Sequence, residues 1–374
     1  MALVLNEEQG MLRDSVKGFL VERAPVAHLR KLRDRRDATG FDPALWKQFA
    51  EQGYSAILVP EAHGGLGLGA VEAGIIGEAL GRTLTPTPFL STAVLAARAL
   101  ARAGSQAQQS ALLPKIAAAQ TVIAFAVDES SKHRPEAVAA TATREGEGWR
   151  LDGAKCFVLD GHVAERFIVA ARAPEGGIML LLVDAKAPGV QIERTIMVDA
   201  HNAARLRFDG VRVGADAVLG TAGAADALLA EVLDLGRVVV AAQLLGVADA
   251  GFELTLGYLK ERRQFDRAIG EFQALQHRAA ELYIDIELTR ALVLGALQAM
   301  DAEPAKAGLI VAQAKAHACT TANRAVQEGV QMHGGIGMTD EFDVGLYVKR
   351  ARTLQELWGD AGFHADRVAA LGGY

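Results

Sequence analysis

Residues 331–339 read QMHGGIGMT, and this glycine-rich stretch closes the long helical pattern of the C-terminal third of the chain. Gly334–Gly335 predicts the end of a helix, because glycine adopts the left-handed backbone that terminates helices without a steric penalty. Pro304 predicts where that helix begins, since proline suits a first helical turn. In the preceding segment, apolar residues recur at helical spacing at Leu275, Ala279, Leu282 and Ile286. The chain from about residue 224 onward is therefore predicted to be helical.

The middle of the chain has a different period. From about residue 121, short β-branched and apolar runs alternate with turns, EGEG at residues 145–148 and PEGG at residues 174–177. The runs are Val122–Val127, Phe167–Ala170, Ile178–Val183 and Val190–Ile196. This spacing is typical of a small antiparallel sandwich or barrel.

The first third of the chain is also predicted to be helical. Asn6 with Gln9 three residues later forms a capping-box pattern, and Asp42 followed by Pro43 predicts an N-cap with proline at the first helical position. The order helical, β, helical indicates an α+β protein. We place an N-terminal helical domain at residues 1–119, a middle antiparallel β-domain at 120–222 and a C-terminal helical bundle at 223–374.

The glycines at positions 64, 65, 67 and 69 invite comparison with a dinucleotide-binding Rossmann turn. They do not give G-x-G-x-x-G in register, and Pro60–His63 separates them from the candidate strand Ser55–Val59. No βαβ unit follows. A close-packed turn between helices is the better interpretation.

Composition narrows the functional class. The chain has 374 residues, 51% of them hydrophobic, with a formal net charge of -6, which argues against a nucleic-acid-binding protein. Cys156 and Cys319 lie far apart and have no metal-type partner at short spacing, so neither a metal site nor a disulfide framework is expected. We also expect no membrane span and a cytoplasmic setting.

Four segments, taken in order, resemble the acyl-CoA dehydrogenase family and together cover nearly the whole chain. They are GY at 53–54 with VPE and GGLG at 59–67, GWRLDGAK at 148–155 with GHVA at 161–164, RRQF at 262–265 with FQALQ at 272–276, and QMHGGIGMT at 331–339. The resemblance implies a helical domain, a β-domain and a four-helix bundle, which agrees with the periodicity.

The resemblance also implies a cofactor and a reaction. Members of this family desaturate acyl-CoA thioesters with FAD, which lies between the β-domain and the bundle and is partly bound by a neighbouring subunit. A base removes the α-proton while the β-hydrogen leaves as hydride to the flavin. An acyl-CoA substrate, a homo- or hetero-oligomer and an electron-transfer flavoprotein or similar acceptor are therefore expected.

Five residues match family positions that contact the FAD of a neighbouring subunit. Arg262 matches the arginine at the pyrophosphate, where guanidinium supplies charge and paired donors. Phe265 matches the aromatic residue beside the adenine. Gln273, Gln331 and Gly335 match further contacts to the nucleotide.

The part of the β-domain that would hold this chain's own flavin departs from the family pattern. Where the family usually has a Thr-Glu-Pro run, this chain reads VDESSK at residues 127–132. Asp128 therefore stands in place of a hydroxyl, and an ionised carboxylate cannot donate a hydrogen bond. Phe157 matches the aromatic residue that flanks the flavin ring. Leu159 replaces a threonine and offers no hydrogen bond.

Neither position that carries the catalytic base in this family holds a glutamate. Counted from Gln331, the usual position of the glutamate is occupied by Trp358. Other members carry the glutamate in an LDLER run, which reads LDLGR at residues 233–237 here, so Gly236 takes its place. Asp234 and Arg237 of this run are candidate substrate-binding residues. Asp360, two residues past the usual position, is a weak candidate base.

Glu356, two residues before Trp358, is another weak candidate, and His333 could titrate near neutrality. The ending WGDAGFH most resembles the small subunit of pimeloyl-CoA dehydrogenase and subunits of heteromeric steroid-type acyl-CoA dehydrogenases. In that branch, some members pair unlike subunits and one subunit supplies the base.

Four hypotheses remain open from the sequence. The favoured one is a base-lacking subunit of a heteromeric acyl-CoA dehydrogenase. The alternatives are an independent homo-oligomeric enzyme using Asp360, a flavin monooxygenase that needs no α-proton base, and a flavin-free structural or binding subunit. The acyl group is not identified by the sequence.

Overall fold

The computed structural model describes residues 3–374, which form two compact units. The first unit comprises the chain up to residue 31, residues 70–85 and residues 237–374. The second comprises residues 32–69 and 86–236. The N-terminal helices are thus divided between the two units.

The helices and strands follow the predicted order of helices, strands and helices. The helices are α1 (Glu7–Arg23), α2 (Val26–Asp34), α3 (Pro43–Glu51), α4 (Ala70–Thr83), α5 (Ala97–Ala103), α6 (Gln106–Ala117), α7 (Asp226–Glu261), α8 (Gln273–Ala302), α9 (Gly308–His333), α10 (Val344–Glu356) and α11 (Ala361–Gly372). The strands are β1 (Ile123–Ala126), β2 (Thr141–Glu145), β3 (Gly148–Leu159), β4 (Arg166–Arg172), β5 (Ile178–Asp184), β6 (Val190–Ile196), β7 (Asn202–Val213), β8 (Val218–Leu219), β9 (Arg263–Gln264) and β10 (Arg267–Ala268).

Three helix boundaries predicted from local sequence are confirmed, whereas Pro304, predicted at the start of a long helix, lies in a 3-10 turn just before α9 begins at Gly308. The Asn6 side chain accepts from the Gln9 backbone N–H at 2.8 Å, and the Gln9 side chain accepts from the Asn6 N–H at 3.1 Å. Asp42 caps α3 through the Ala44 N–H at 2.8 Å. Helix α9 ends at Gly334, which has a φ of 66°. Each cap satisfies backbone groups that a helix end leaves unpaired.

The sheet lies entirely in the second unit and is mostly antiparallel. Its strand order is β6-β7-β3-β2-β4-β5-β8, and β1 pairs with β4 in parallel, with Phe125 opposite Ile168. All four predicted runs form strands, as β1, β4, β5 and β6. The longest pairing joins β3 to β7, and its register shifts between Lys155 and Val158. That shift is a β-bulge, which changes the direction of the side chains around it.

The glycine-rich turn after residue 60 is a tight packing element, as the sequence predicts. A Cβ added to Gly65 would lie 1.9 Å from the carbonyl oxygen of Val59, so only glycine fits there. Residues 54–56 form a short 3-10 helix, and the strand that a Rossmann turn would require is absent from residues 54–69.

The α+β class and the three-part order are confirmed. The exact domain boundaries at residues 119/120 and 222/223 stay predictions. Within residues 3–374, no helix is both long and apolar enough to cross a lipid bilayer.

Candidate functional site

The segment that follows α10 contains the usual base position and has an unusual backbone. Trp358 is 5% exposed and has a φ of 53°, and Gly359 follows with a φ of 110°. A left-handed conformation is unfavourable for a bulky residue and persists only where neighbouring contacts hold it. Two donors provide such contacts, because the carbonyl oxygen of Trp358 accepts from Arg237 Nε at 3.1 Å and from His364 Nε2 at 3.2 Å.

A buried lysine fixes the same segment from helix α9. Lys315 is fully buried, and its Nζ donates to the carbonyl oxygens of Leu354 at 3.2 Å, Gln355 at 3.1 Å and Gly359 at 3.0 Å. The Sγ of Cys319 also lies 3.2 Å from Nζ. Two of these carbonyls belong to the last turn of α10, where a helix lacks internal partners and favours a nearby cation. Lys315 therefore joins the end of α10 to the segment after it.

His364 is neutral in this environment. Burial, with the charges of Lys315 and Arg237, lowers its pKa to about 2. A neutral ring must carry its proton on Nε2 to donate to Trp358, which leaves Nδ1 as an acceptor without a hydrogen-bond partner in the described chain. So low a pKa makes His364 a poor proton acceptor at neutral pH.

The two carboxylates nearest the base position have structural contacts. Asp360 Oδ1 accepts from the Phe363 N–H at 2.8 Å and so caps helix α11. Glu356 forms an ion pair with Arg352 at 2.8 Å, one turn earlier in α10. The alternative base position, Gly236, lies inside α7 and has no ionisable group.

The predicted substrate-binding residues are both buried. Arg237 is held against Trp358, and its guanidinium carbon lies 5.6 Å from the ring centre of Phe363. Asp234 is 5% exposed. A role for either residue in substrate binding stays a prediction.

The five residues predicted to meet a neighbour's nucleotide are all exposed at one end of the first unit. Helices α8 and α9 pack together there, and Arg278 near the start of α8 donates to Glu328 near the end of α9 at 2.6 Å. The predicted residues lie around these two helix ends, at Arg262, Phe265, Gln273, Gln331 and Gly335.

Phe265 and Arg262 are particularly accessible. Phe265 occupies the two-residue turn between β9 and β10 with a φ of 52°, and it is 86% exposed. Within residues 3–374, the Arg262 side chain forms no hydrogen bond or ion pair. A Cβ added to Gly335 meets no atom within 4 Å, so its backbone is open to approach by another molecule. These features fit a phosphate and an adenine supplied from outside the chain.

The β-domain cradle fits a flavin only in part. Phe157 lies at the β-bulge with a φ of 51° and is 48% exposed, beside a pocket of about 710 Å³. Asp128, by contrast, is bound to His133, with 2.6 Å between Oδ1 and Nδ1. A ring is therefore available for stacking, while the predicted hydrogen-bonding position has an internal partner.

An ion pair nearby was not predicted from the sequence. Lys155 Nζ lies 2.7 Å from Glu129 Oε1, and Glu129 also accepts from the Ala139 and Ala140 N–H groups. Burial alone would raise the pKa of Glu129, but Lys155 and the two N–H groups hold it below its usual value. Glu129 is therefore ionised and fixed at neutral pH.

Comparison with known proteins identifies the class of this fold. The chain matches the acyl-CoA dehydrogenase N-terminal domain over residues 6–120, the middle domain over 124–211 and the C-terminal domain over 226–371. Acyl-CoA dehydrogenase FadE27 of Mycobacterium tuberculosis is 31% identical over 369 residues, which cover 97% of this chain and 95% of that protein. The chain belongs to the acyl-CoA dehydrogenase family, whose members are FAD-dependent oxidoreductases.

Two solved structures are similar along their whole length. A variant of the steroid acyl-CoA dehydrogenase Tcur3481–Tcur3483 is 32% identical with a TM-score of 0.89, covering 98% of each chain. The ChsE4–ChsE5 complex from Mycobacterium tuberculosis is 29% identical with a TM-score of 0.91, covering 100% of this chain and 99% of that one.

Proposed function

We propose that this chain is the base-lacking subunit of a heteromeric acyl-CoA dehydrogenase and that it contributes its exposed nucleotide-contact residues to an FAD shared with an unlike subunit. The observation that carries this proposal is the residue at the base position. Trp358 has no proton-accepting group, and Arg237, His364 and Lys315 hold its segment in place.

The chemistry explains why an unlike subunit is needed. Desaturation of an acyl-CoA removes a proton from the α-carbon, and FAD, when bound, would supply the acceptor for the β-hydrogen as hydride. A carboxylate within hydrogen-bonding reach is the usual acceptor for such a proton. Gly236 and Trp358 cannot accept it, and Asp360 and Glu356 are engaged in a helix cap and an ion pair. We therefore propose that another chain supplies the base.

The exposed nucleotide-contact residues support the same assignment. Arg262 forms no hydrogen bond or ion pair among residues 3–374, and Phe265 is 86% exposed beside the Phe272 ring, which suits contact with a cofactor held by a neighbour. The name of one structural neighbour describes a complex of two differently named chains, and another is described as a steroid acyl-CoA dehydrogenase. We propose a paralogous subunit as the partner and an electron-transfer flavoprotein or similar protein as the electron acceptor.

The second candidate is a homo-oligomeric enzyme that uses Asp360 as its base. Only its position, two residues beyond Trp358, favours it. To act as a base, Asp360 would have to leave the N–H of Phe363, and α11 would lose its cap. Loss of an N-cap costs about 1 kcal/mol, so this candidate requires a rearrangement that the favoured one avoids.

The test compares the chain alone with the chain co-expressed beside a paralogous subunit that has glutamate at a base position. We expect desaturation of an acyl-CoA, followed with an artificial electron acceptor, only from the co-expressed sample. Gel filtration should show both chains in one complex. Changing the partner's glutamate to glutamine should abolish turnover while leaving assembly intact. Turnover by the purified chain alone would contradict the proposal, and a co-expressed complex without FAD would favour a flavin-free structural subunit.

A further inference from the structure

The first unit contains a cavity that the proposed function does not use. It has a volume of about 480 Å³ and lies among helices α1, α4, α7 and α8, with the residues just before α1 at its edge. Among the described residues that line it, none is a nucleotide-contact residue and none belongs to the segment around Trp358. Small-molecule sites in proteins have volumes of about 300–1,000 Å³. The cavity is therefore large enough to hold a ligand of its own.

The floor of this cavity is apolar. It is formed by buried side chains from three helices, which are Val71, Ile75, Leu245, Val293 and Leu297. Helices α4 and α8 are in close contact beside it, since a Cβ added to Gly74 would lie 2.3 Å from Cδ1 of Leu297. The cavity is thus a gap within close-packed helices, and protein interiors contain few voids of this size.

Gly10 of α1 leaves part of this space open. It lines the cavity, and a Cβ added to it would meet no atom of the described chain within 4 Å. Glycine is unfavourable inside a helix, where alanine would be more stable. Gly10 lies in the helical part of α1, so neither its backbone nor a close neighbour in this chain requires a glycine. A small residue at this position suits a cavity that a ligand fills.

The exposed end of the cavity, its mouth, has charged residues that are already paired within the chain. Arg290 Nη1 lies 2.7 Å from Glu78 Oε1, and Arg290 Nε donates to Glu287 at 3.2 Å. Arg13 pairs with its neighbour Asp14 at 2.9 Å. The ion pairs at and behind the mouth join five carboxylates to three arginines, which are Asp14, Glu78, Asp249, Glu253 and Glu287 with Arg13, Arg82 and Arg290. The mouth therefore disfavours an anionic group and offers carboxylate oxygens as hydrogen-bond acceptors.

We propose that this cavity binds an uncharged lipophilic alcohol, with the apolar body of the ligand on the buried floor and its hydroxyl donating to a carboxylate at the mouth. Burial of apolar surface supplies most of the affinity, and the bound ligand also covers Leu3 and Val4, which border the cavity and are 53% and 68% exposed. The carboxylates of Glu78 and Glu287 select a neutral donor over a fatty acid or a phosphate.

Binding of the uncharged fluorescent dye phenylnaphthylamine to the full-length chain tests the proposal, with decanol, decanoate and decyltrimethylammonium as competitors of equal chain length. The variant G10F fills the cavity from α1, and G10L is a smaller filler that serves if G10F does not fold. G18F is the matched control, because Gly18 lies on the same helix outside the cavity and a Cβ added to it also meets no atom within 4 Å. Thermal unfolding of each variant confirms that it is folded.

We expect G18F to bind the dye as the wild type does and G10F to bind it about tenfold or more weakly, which corresponds to excluding about two methylene groups of a ligand from the floor. Decanol should displace the dye, and decanoate should do so about tenfold or more weakly. E287Q should narrow that difference, since it removes one carboxylate from the mouth. Decyltrimethylammonium should compete less well than decanol, because it has no hydrogen-bond donor and must lose water to enter.

The proposal is overturned if G10F and G18F bind the dye alike, or if decanoate or decyltrimethylammonium competes better than decanol. It is also overturned if the wild type binds no dye. In that case, loss of co-elution with the paralogous subunit in G10F would assign the cavity to a contact with that subunit. None of these outcomes depends on desaturation, so the ligand site and the proposed function can fail separately.

Discussion

Replacing Lys315 with methionine should destabilise the segment that holds Trp358. Methionine keeps much of the buried chain but removes the donor, so the carbonyls of Leu354, Gln355 and Gly359 lose their shared partner. An unpaired buried polar group costs about 1–3 kcal/mol. Because relief of the buried charge offsets part of that loss, we expect about 3–5 kcal/mol in total.

The measurement is thermal unfolding of K315M beside the control K306M. Lys306 is 80% exposed and forms an ion pair with Glu303, three residues earlier, so its replacement should change stability by less than about 0.5 kcal/mol. For K315M we expect a fall in Tm of roughly 4–6 °C, because a chain of 374 residues unfolds with an entropy of about 0.8 kcal/mol/K. Hydrogen exchange should speed up most at the amides of residues 357–364. A Tm equal to that of K306M, with unchanged exchange there, would refute the assignment of Lys315 as the group that fixes this segment.

Three further predictions address the cofactor and the pH dependence of stability. Arg262→Ala should weaken FAD binding by the assembled oligomer about tenfold or more, through loss of a charge-assisted phosphate contact, and unchanged affinity would remove Arg262 from the site. The isolated chain should retain FAD weakly, since Asp128 is bound to His133 and Leu159 offers no hydrogen bond; a homo-oligomer that keeps one FAD per subunit through gel filtration would contradict this. His364 has a folded pKa of about 2 against an ordinary 6.5, so the unfolded chain alone takes up its proton as pH falls below 6.5, and stability decreases below that pH. We expect a loss of about 2 kcal/mol between pH 7 and pH 5 in urea unfolding that His364→Gln, which keeps an N–H donor, abolishes; an equal loss in the variant would show that His364 is not its source.

Much of the fold could be predicted from the sequence because its signals are local. A capping box spans four residues, and a helix-ending glycine acts at its own position, so the start of α1 and the end of α9 could be predicted without knowledge of the tertiary structure. Three of the four runs were recognisable because β1, β4 and β5 are apolar on both faces, and Val190–Ile196 was recognisable because apolar and polar residues alternate at its start. Strands β3 and β7 were harder to predict, since charged and small residues alternate with their buried side chains.

The contacts that shape the candidate site are not local and could not be predicted in the same way. Lys315 reaches carbonyls about forty positions later, and Lys155 on β3 reaches Glu129, 26 positions earlier in the loop after β1. One signal was available, because Lys315 lies in a run of buried alanines on α9, where a charged residue requires a partner. The sequence does not indicate that the partner would be the segment of Trp358.

The measurement that tests the central claim most directly is the turnover of the heteromer with Asp360→Asn in this chain. Asparagine keeps a side-chain oxygen that can cap α11 but cannot serve as a carboxylate base. Glu356→Gln is the matched variant, since it removes the other nearby carboxylate in the same way.

If this chain lacks the base, each variant should lower kcat by less than about tenfold, because loss of a true general base costs on the order of 10²–10⁴-fold. The assay uses an acyl-CoA and an artificial electron acceptor, with FAD content and subunit composition measured on the same samples. A fall in kcat of about a hundredfold or more in Asp360→Asn, with FAD content and assembly intact, would identify Asp360 as the base and contradict the account.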